Sequence, residues 1–371
     1  MTICKRCIMD DKNDDYIKFD SSGYCNYCNY ALSRKDNTYF PNSQGGKEIE
    51  KMLKRIKMES KSKQFDCVMG ISGGLDSSYL LYLGSIKWNL RILAIHVDDG
   101  FNTEIANKNI QLLSELPNVT LIKVTPNHDE YIDLIRSFIL SGVPGIAVPQ
   151  DNVMLSYLFY YIRRHRIKFF LSGANFALES ILQKSDDGVP ASDGKHIKHI
   201  HKIYGKTKIK SIKLVTLFQR YISQKFIHGI KTFTPLNYID YNKNNAIQEM
   251  SEKIGFNYYG GKHHENDFTK FVQVYYLPKK FGFDKRKSHL SSLIVSDQLN
   301  RDEALFEYNK PAFDNYYEEN ELPKIVKSLD IDQNVFKKLM NEAPRKHGEF
   351  KKSIFIKFRK LAIKFRKVLD E

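Results

Sequence analysis

The sequence predicts an α/β fold: a doubly wound parallel sheet, with a metal-binding module before it and a helical region after it. Three observations support this prediction. Short apolar runs alternate with helix-like periodicity between residues 63 and 175, which is typical of a parallel sheet. A glycine-containing string, residues 72–78, joins the first apolar run to a helix. Four of the five cysteines form two Cys-x-x-Cys pairs within the first 28 residues.

The elements of the sheet domain follow in order along the chain. Apolar runs bounded by turn residues predict strands, and apolar spacing of three and four residues predicts helices. Gly142 ends the second predicted helix, and Asp151 with Asn152 can cap the third. The predicted strands cover residues 66–71, 90–97, 120–124 and 168–171, and the predicted helices cover residues 109–116, 129–140 and 153–165.

Positive charge is concentrated in two segments of this 371-residue chain. The formal net charge is +15, of which residues 345–367 contribute +9 and residues 195–213 contribute +7, so the remainder sums to about −1. This distribution argues against a body that binds nucleic acid over its whole surface. No apolar run approaches the roughly 18 residues of a membrane span, and the first residues lack an apolar signal stretch, so we expect a cytoplasmic protein.

The string Ser72-Gly73-Gly74-Leu75-Asp76-Ser77-Ser78 predicts a phosphate-binding loop. Adjacent glycines let backbone amides turn toward one concavity, and the N-terminus of the next helix adds positive potential. Asp76 can hold Mg²⁺ or cap that helix, while Ser77 and Ser78 can donate hydrogen bonds to phosphate. An ordinary turn between strand and helix is the alternative. The Walker lysine is missing, which disfavours a kinase-like loop.

This string resembles the PP-loop signature, Ser-Gly-Gly-x-Asp-Ser, of enzymes that split ATP into AMP and pyrophosphate. The resemblance implies ATP and Mg²⁺ as cofactors and adenylylation of a substrate oxygen. In that superfamily a second loop contacts adenosine, and Val97 with Asp98 lies in the corresponding place, although a simple polar strand end explains them equally well. Gly173 and Asn175 follow a later strand at the carboxyl edge, where open α/β sheets bind ligands, or they form a plain turn. The predicted ATP-binding residues are Ser72, Gly73, Gly74, Asp76, Ser77, Ser78, Val97, Asp98, Gly173 and Asn175.

Several further strings resemble the N-acetyl sugar amidotransferase family of bacterial surface-polysaccharide synthesis, which serves lipopolysaccharide O-antigen and flagellin sugars. The likeness extends over nearly all of residues 1–310. The chain departs from the family pattern at Gln150 and Asp297, which bears on substrate preference. The strings are residues 149–152, 173–179, 234–243, 259–265, 268–271, 276–278, 280–286 and 289–294.

This second resemblance implies conversion of a sugar acetamido group to an acetamidino group. The acetamido oxygen attacks the α-phosphate of ATP, pyrophosphate leaves, and ammonia then displaces AMP. The chain has no glutaminase nucleophile motif, so ammonia must come from outside. The implied partners are a separate glutaminase subunit and a cyclase-like subunit that channels ammonia, similar to the pair used in histidine synthesis. The implied substrate is an acidic acetamido sugar, either free or linked to UDP.

The region from residue 259 to residue 294 supplies most of the remaining candidate residues. Lys285, Arg286 and His289 can make charge-assisted hydrogen bonds to a sugar carboxylate or a diphosphate. His263, His264 and Glu265 can supply acid–base groups. A solvated, charged surface is the alternative for any of them. The predicted catalytic residues are Asp76, Ser77, His264, Lys285 and Arg286, and the predicted substrate-binding residues are Asn152, Glu179, Lys262, His263, Glu265, Arg286 and His289.

The cysteine pairs Cys4-x-x-Cys7 and Cys25-x-x-Cys28, separated by 17 residues, predict a zinc ribbon. The intervening chain is too short for a core of its own, so a structural Zn²⁺ would supply much of the folding energy of the module. Four unligated or iron-binding cysteines are the alternative. Cys67 is predicted inside a strand as a small core residue.

The two basic segments allow two interpretations each. Apolar residues recur every three or four positions from Phe350 to Leu369 with lysine and arginine between them, which predicts a basic amphipathic helix. That helix either attaches to an anionic inner membrane leaflet or packs on protein. Residues 195–213 either fold over the phosphates as a lid or are disordered.

Composition divides the chain into five parts. A Pro, Asn and Gly-containing stretch after residue 40 marks the first boundary. The parts are a zinc ribbon (1–40), a linker helix (41–62), the PP-loop domain with a basic insert near 185–233 (63–240), a mostly helical substrate region (241–340) and the basic helix (341–371).

Two rival functions remain open at this stage. A tRNA-modifying PP-loop enzyme fits the zinc ribbon and the positive charge, but the chain lacks cysteines for sulfur transfer near the sheet edge. A non-catalytic scaffold that keeps nucleotide binding is the second rival. The amidotransferase interpretation accounts for more of the sequence than either.

Overall fold

A five-stranded parallel sheet forms the centre of the molecule in the computed structural model, which describes residues 1–183 and 188–356. The strand order is β3-β2-β1-β4-β5, and all four pairings are parallel. The predicted parallel α/β fold is thereby confirmed. The strands are β1 (Cys67–Gly70), β2 (Ile92–Val97), β3 (Val119–Val124), β4 (Phe169–Leu171) and β5 (Lys231–Phe233).

Alternate strand residues pack against helices on the two faces of the sheet. Met69 and Ala94 share a core with Leu80, whereas Val68 and Leu93 share another core on the opposite face. Because successive side chains of a strand point to opposite faces, both faces of the sheet are covered. The helices of this half are α1 (Asn26–Thr38), α2 (Ser43–Glu59), α3 (Leu75–Tyr82), α4 (Glu104–Ser114), α5 (His128–Leu140), α6 (Val148–Arg164), α7 (Phe176–Glu179) and α8 (Gly194–Tyr204).

Two details of this half differ from the sequence prediction. Helix α6 begins at Val148, with Pro149 in its first turn, so Asp151 and Asn152 lie inside the helix and do not cap it. Strand β5 was not predicted, because it is only three residues long and follows a lysine-rich stretch without an apolar run.

The C-terminal region is helical, as predicted. Residues 267–281 and 322–341 pack around a second large core that includes Phe138, Phe271 and Tyr276, all fully buried, whereas Met250 and Val295 belong to the core that contains Met69. The helices are α9 (Lys243–Ile254), α10 (Asp267–Phe271), α11 (Leu277–Phe281), α12 (Lys285–Val295), α13 (Arg301–Asn309), α14 (Leu322–Ser328) and α15 (Gln333–Asn341).

The two basic segments take up positions in this second core. Helix α8 packs on α5, where His201 contacts Asp133 at 3.0 Å, so its described residues do not cover the glycine loop. A basic helix beginning at residue 341 is wrong for the described part. Residues 342–352 run across the core without forming an α-helix, and Phe350 is buried among α8 residues. The rest of the predicted amphipathic helix, residues 357–371, lies outside the described residues.

Candidate functional site

The glycine loop lies at the carboxyl end of β1 and leads directly into α3. Gly73 has φ +76°, and a Cβ atom there would lie 2.6 Å from the carbonyl oxygen of Ala106. Only glycine tolerates both constraints, because a side chain would be strained and would also displace α4. The loop is therefore fixed between two elements of the sheet domain.

Backbone amides at the start of α3 face the cavity beyond the loop. The Gly74 amide donates to Ser72 Oγ at 3.2 Å, and the Leu75 amide donates to the hydroxyl of Tyr259 at 2.7 Å. The first amides of a helix have no acceptor within the helix, so they can bind an anion. In this structure both amides are paired with side-chain oxygens, which a phosphate would have to replace, and the phosphate-binding loop stays a prediction.

Asp76 is held by three side chains from distant parts of the chain. Its Oδ1 accepts hydrogen bonds from the Tyr241 hydroxyl at 2.5 Å and from Asn175 Nδ2 at 3.2 Å. Its Oδ2 lies 3.6 Å from Lys262 Nζ. Helix α3 has no side-chain cap, so of the two roles offered by the sequence, capping by Asp76 is not the one observed. The carboxylate is held at the cavity wall instead.

Glu265 brings a second carboxylate to the loop. Its Oε1 accepts a hydrogen bond from Ser72 Oγ at 3.1 Å, and its side chain is only 7% exposed. Burial disfavours the charge, but the nearby His263 and the Ser72 hydrogen bond hold the pKa of Glu265 below its ordinary value. Among the described residues, its Oε2 atom has no hydrogen-bond partner. A buried, unpartnered carboxylate oxygen is well suited to a cation.

A cavity of about 550 Å³ connects this loop to the C-terminal region. Its walls are the glycine loop, residues 258–265, and the face of α12 that carries Lys285, Arg286 and His289. Another cavity, of about 740 Å³, lies between α5 and α14, and no residue of the glycine loop lines it. We therefore place the candidate site in the smaller cavity, because it contains the phosphate-binding elements.

The cations on α12 differ in how far they are already neutralised. Arg286 Nη2 pairs with Asp284 at 2.7 Å, and its Nη1 donates to the carbonyl oxygen of Lys310. Lys285 has no such close partner in the described structure, and burial lowers its pKa although Asp151 and Glu179 oppose that shift. Lys285 is thus the more available cation for an anionic ligand.

Burial also governs the histidines of the cavity. It is the largest cause that lowers the pKa of His264 to about 4 and the pKa of His289 well below its ordinary value, and the positive charges of nearby lysines and histidines add to both shifts. Both side chains are therefore neutral at physiological pH and can both donate and accept a hydrogen bond.

The lowered pKa of His264 predicts weaker stability in acid. Between about pH 4 and pH 6.5 the unfolded state binds more protons at this residue, so the unfolding free energy falls as the pH falls. We expect His264→Gln to reduce that acid-induced loss by about 2 kcal/mol. Urea unfolding at about pH 4.5 and 7.5 measures the difference. The exposed residue His228, changed to Gln, is the matched control. An identical acid-induced loss in wild type and His264→Gln would refute the prediction.

The structure brings most of the predicted residues to this cavity and leaves others away from it. Glu179 pairs with Lys262 at 2.9 Å on the cavity wall, and Gly173 lies against the Ser77 amide. Ser78 is completely buried and does not line the cavity. The predicted residues that line the cavity are Ser72, Gly74, Asp76, Ser77, Gly173, Glu179, Lys262, His263, His264, Glu265, Lys285, Arg286 and His289.

Asn152 and the second loop have other surroundings. Asn152 is fully buried and hydrogen-bonds both backbone groups of Val215 and the Ala191 carbonyl, so it supports the chain around α8 and does not line the cavity. Val97 is the last residue of β2, the strand next to β1, and the following Asp98 pairs with Lys123 at 2.7 Å. Neither lines the cavity, and their predicted contact with adenosine stays a prediction.

Three residues at the site were missed by the sequence reasoning. Tyr259 and Lys243 line the cavity, where Lys243 lies over the ring of Tyr258 at 5.0 Å. Tyr241 does not line it, but its hydroxyl holds Asp76, next to the Leu75 amide that donates to Tyr259. Tyr241 and Tyr259 lie in strings that resemble the family, but only their three-dimensional contacts reveal what they hold.

The four cysteines of the N-terminal module form a compact sulfur cluster. All four are buried, and their sulfur atoms lie within 4.8 Å of one another. The Cys4–Cys28 and Cys7–Cys25 sulfur distances are 3.7 and 3.6 Å. A tetrahedral zinc site with Zn–S bonds of about 2.3 Å places its sulfurs about 3.8 Å apart. The donor set therefore fits a metal ion.

Hydrogen-bond donors around the sulfurs favour thiolates. The Arg6 and Cys25 amides lie 3.4 and 3.2 Å from Cys4 Sγ, and the Arg6 guanidinium lies 3.6 Å from Cys28 Sγ. Charge on the sulfurs is stabilised by these donors, as a thiolate-bound metal requires. Cys67, by contrast, is a fully buried core residue of β1, and burial raises the pKa of its thiol.

Comparison with known proteins adds a family match in the C-terminal region. Residues 265–362 match the family described as LPS biosynthesis protein WbpG-like, C-terminal domain. An uncharacterized protein from Methanocaldococcus jannaschii is 29% identical over 140 residues, which make up 38% of this chain and 47% of that protein. The chain thus spans about half the length of the curated relative it matches.

Two solved structures show low sequence identity to this chain. An NH3-dependent NAD synthetase from Campylobacter jejuni is 15% identical over 56% of this chain and 83% of its own, with a TM-score of 0.30. The U34-tRNA thiolase NcsA from Methanococcus maripaludis is 15% identical over 80% and 88%, with a TM-score of 0.31. These values carry no argument about function. Within the described residues, no helix has both the length and the apolar character needed to cross a bilayer.

Proposed function

We propose that this protein is an ATP-dependent, AMP-forming amidotransferase of surface-polysaccharide synthesis. Its substrate is a sugar that carries an acetamido group, and its product carries an acetamidino group. The premise is the match of residues 265–362 to the WbpG-like family of lipopolysaccharide biosynthesis proteins. One observation supports this proposal most strongly. The glycine loop and Asp76 open into the same cavity as Lys285 and His289 of the family-matched region.

A shared cavity suits a reaction between a nucleotide and a second polar substrate. The loop amides are placed for the phosphates of ATP, and the basic face of α12 lies across the cavity from them. Holding both reactants in one enclosed site removes much of the entropic barrier of their reaction.

In the first step, the acetamido oxygen bonds to the α-phosphorus and the bond to pyrophosphate breaks. The pyrophosphate remains at the amides of the glycine loop. Lys262, which lies 2.9 Å from Glu179 and 3.6 Å from Asp76, would contact the transferring phosphate. The acetamido nitrogen loses its proton in this step, so the product is a neutral O-adenylyl imidate, whose carbon is a far better electrophile than that of an amide.

In the second step, ammonia nitrogen bonds to the imidate carbon and the carbon–oxygen bond to AMP breaks. The sugar oxygen leaves as part of the AMP phosphate, and the nitrogen loses a proton. His264 is neutral at pH 7, so its ring can accept a hydrogen bond from the attacking nitrogen. Ammonia comes from a separate glutaminase subunit through a cyclase-like channelling subunit.

Two metal ions complete the proposal. Asp76 and the unpartnered Oε2 of Glu265 would hold Mg²⁺ at the phosphates, where it supplies charge neutralisation. The four cysteines would hold a structural Zn²⁺ with no open coordination position.

Purified protein with ATP, Mg²⁺, an ammonium salt and a panel of acetamido sugars tests the proposed function. The ammonium salt replaces the glutaminase. We expect one sugar to raise AMP release at least tenfold and to yield a product one mass unit lighter, because oxygen is exchanged for NH. Release of AMP with tRNA but with none of the sugars would overturn the proposal in favour of a tRNA-modifying enzyme.

A further inference from the structure

Helix α12 presents separate faces to three parts of the protein. At about 100° per residue, Lys285, Arg286, His289 and Leu293 fall within an arc of about 100°, and all four line the cavity. Lys287 and Ser291 fall on the opposite side of the helix. The position of the basic cavity wall is therefore set by what α12 contacts on its other faces.

The opposite face is attached to the cysteine module. Lys287 Nζ donates to Asp10 Oδ2 at 2.6 Å, and both side chains are less than a tenth exposed. Ser291 Oγ accepts a hydrogen bond from the Ile8 amide at 3.3 Å. Ile8 directly follows the metal-ligand candidate Cys7 and packs against Leu290. The first cysteine knuckle thus lies directly on the back of the cavity wall.

A second attachment comes from the next helix. The Arg301 guanidinium, at the start of α13, donates to the carbonyl oxygens of Cys4 and Cys7 at 3.2 Å each. The same module also contacts the chain on either side of these bonds. Asn13 Nδ2 donates to the carbonyl of Gly282, three residues before α12, and Lys35 Nζ donates to the carbonyl of Val295, the last residue of α12.

The remaining face of α12 packs on α7 and the residues after it, where Val295 shares a core with Ala177 and Ser296 Oγ donates to the Ala177 carbonyl at 2.8 Å. Ser288 and Ser292 accept hydrogen bonds from the amides of Gln183 and Ile181, which precede the undescribed residues 184–187. The glycine loop is held separately by the sheet, where the Ile71 amide donates to the Ile95 carbonyl. None of the hydrogen bonds between the module and α12 involves the glycine loop, so we expect a change in the module to affect α12 more than the loop.

We propose that Lys287, Ser291 and Arg301 are positioning residues through which the metal-loaded cysteine module fixes α12, and with it the substrate side of the cavity. The cysteine ligands hold the knuckle backbone in place, and the knuckle backbone holds the helix. The nucleotide side stays independent of the metal. That α12 is the substrate side rests on the proposed function; the coupling between module and helix does not.

Amide hydrogen exchange of the full chain, with and without removal of the metal by a chelator, tests the coupling directly. We expect exchange in residues 285–295 to become at least tenfold faster without metal, while β1 and α3 keep their protection. Lys287→Met, with its metal retained, should reproduce the effect in α12. Lys231→Met is the matched control, because it removes an ion pair of similar length to Glu59 at the far edge of the sheet.

Two results would overturn the inference. One is unchanged protection of α12 in both the metal-free protein and Lys287→Met. The other is an equal loss of protection in α3, which would indicate general destabilisation. If the metal-free protein unfolds, the amide exchange of α12 in Lys287→Met alone tests the coupling.

Kinetics provide a second readout that a purely structural role would not produce. Once a sugar substrate is identified, Lys287→Met should raise the KM for that sugar at least fivefold and leave the KM for ATP unchanged, and Lys287→Arg should restore it. Equal increases in both KM values would contradict the assignment. If no sugar supports AMP release, the proposed function fails, whereas the exchange experiment still decides the coupling.

Discussion

Asp76→Asn is expected to lower AMP formation at least a hundredfold in a protein that remains folded. The substitution keeps the size of the side chain but removes the charge that would hold Mg²⁺ at the phosphates. Loss of one preorganised charge at a phosphoryl-transfer site is worth about 3 kcal/mol, or more than a hundredfold in rate. AMP formation and ATP–pyrophosphate exchange, each with Mg²⁺ and substrate present, measure the effect.

Two further variants make this result interpretable. Tyr241→Phe removes only one hydrogen bond to Asp76 and keeps its charge, so we expect a smaller loss, about tenfold. Asp129→Asn, on the exposed first turn of α5, should leave the rate unchanged. Normal AMP formation by Asp76→Asn would show that the carboxylate is not part of the reaction.

Cys25→Ser is expected to remove the metal and to lower the melting temperature by about 10 °C or more. Cys25 supplies one of the four clustered sulfurs, and a hydroxyl is a poor replacement for a thiolate at a Zn²⁺ site. Metal content by mass spectrometry and the melting temperature measure the two effects.

Cys67→Ser is the matched control for this prediction. It also places a hydroxyl in a buried position and should destabilise the protein, but it should retain the full metal content. Equal metal content in Cys25→Ser and wild type would contradict the four-cysteine site. If mass spectrometry finds iron and no zinc, the four-cysteine site stands and only the identity of its metal changes.

The sequence predicted those parts of the site that depend on local patterns. The glycine loop could be identified because Gly73 and its neighbours form a short string whose backbone requirements are visible in the residue types. The cysteine pairs could be identified for the same reason, since their spacing alone defines a metal-ligand set. Both predictions correspond to elements that the fold builds from adjacent residues.

The contacts that orient these groups could not be predicted in this way. Tyr241 lies 165 positions from Asp76 in the sequence, and Glu265 lies 193 positions from Ser72. Asn152 lies in a string that resembles the family, yet its side chain is buried and accepts a hydrogen bond from the Val215 amide. Phe350 begins the periodic pattern that predicts the basic helix, yet tertiary packing buries it among α8 residues in a stretch that is not helical.

Transfer of a heavy oxygen isotope from the substrate to AMP is the most direct test of the central claim. The sugar is labelled at its acetamido oxygen and incubated with ATP, Mg²⁺ and an ammonium salt. If the acetamido oxygen attacks the α-phosphate and then departs with AMP, mass spectrometry will find the label in the AMP phosphate and none in the acetamidino product. Unlabelled AMP, formed with the label still on the sugar, would contradict an adenylylated intermediate and with it the proposed reaction.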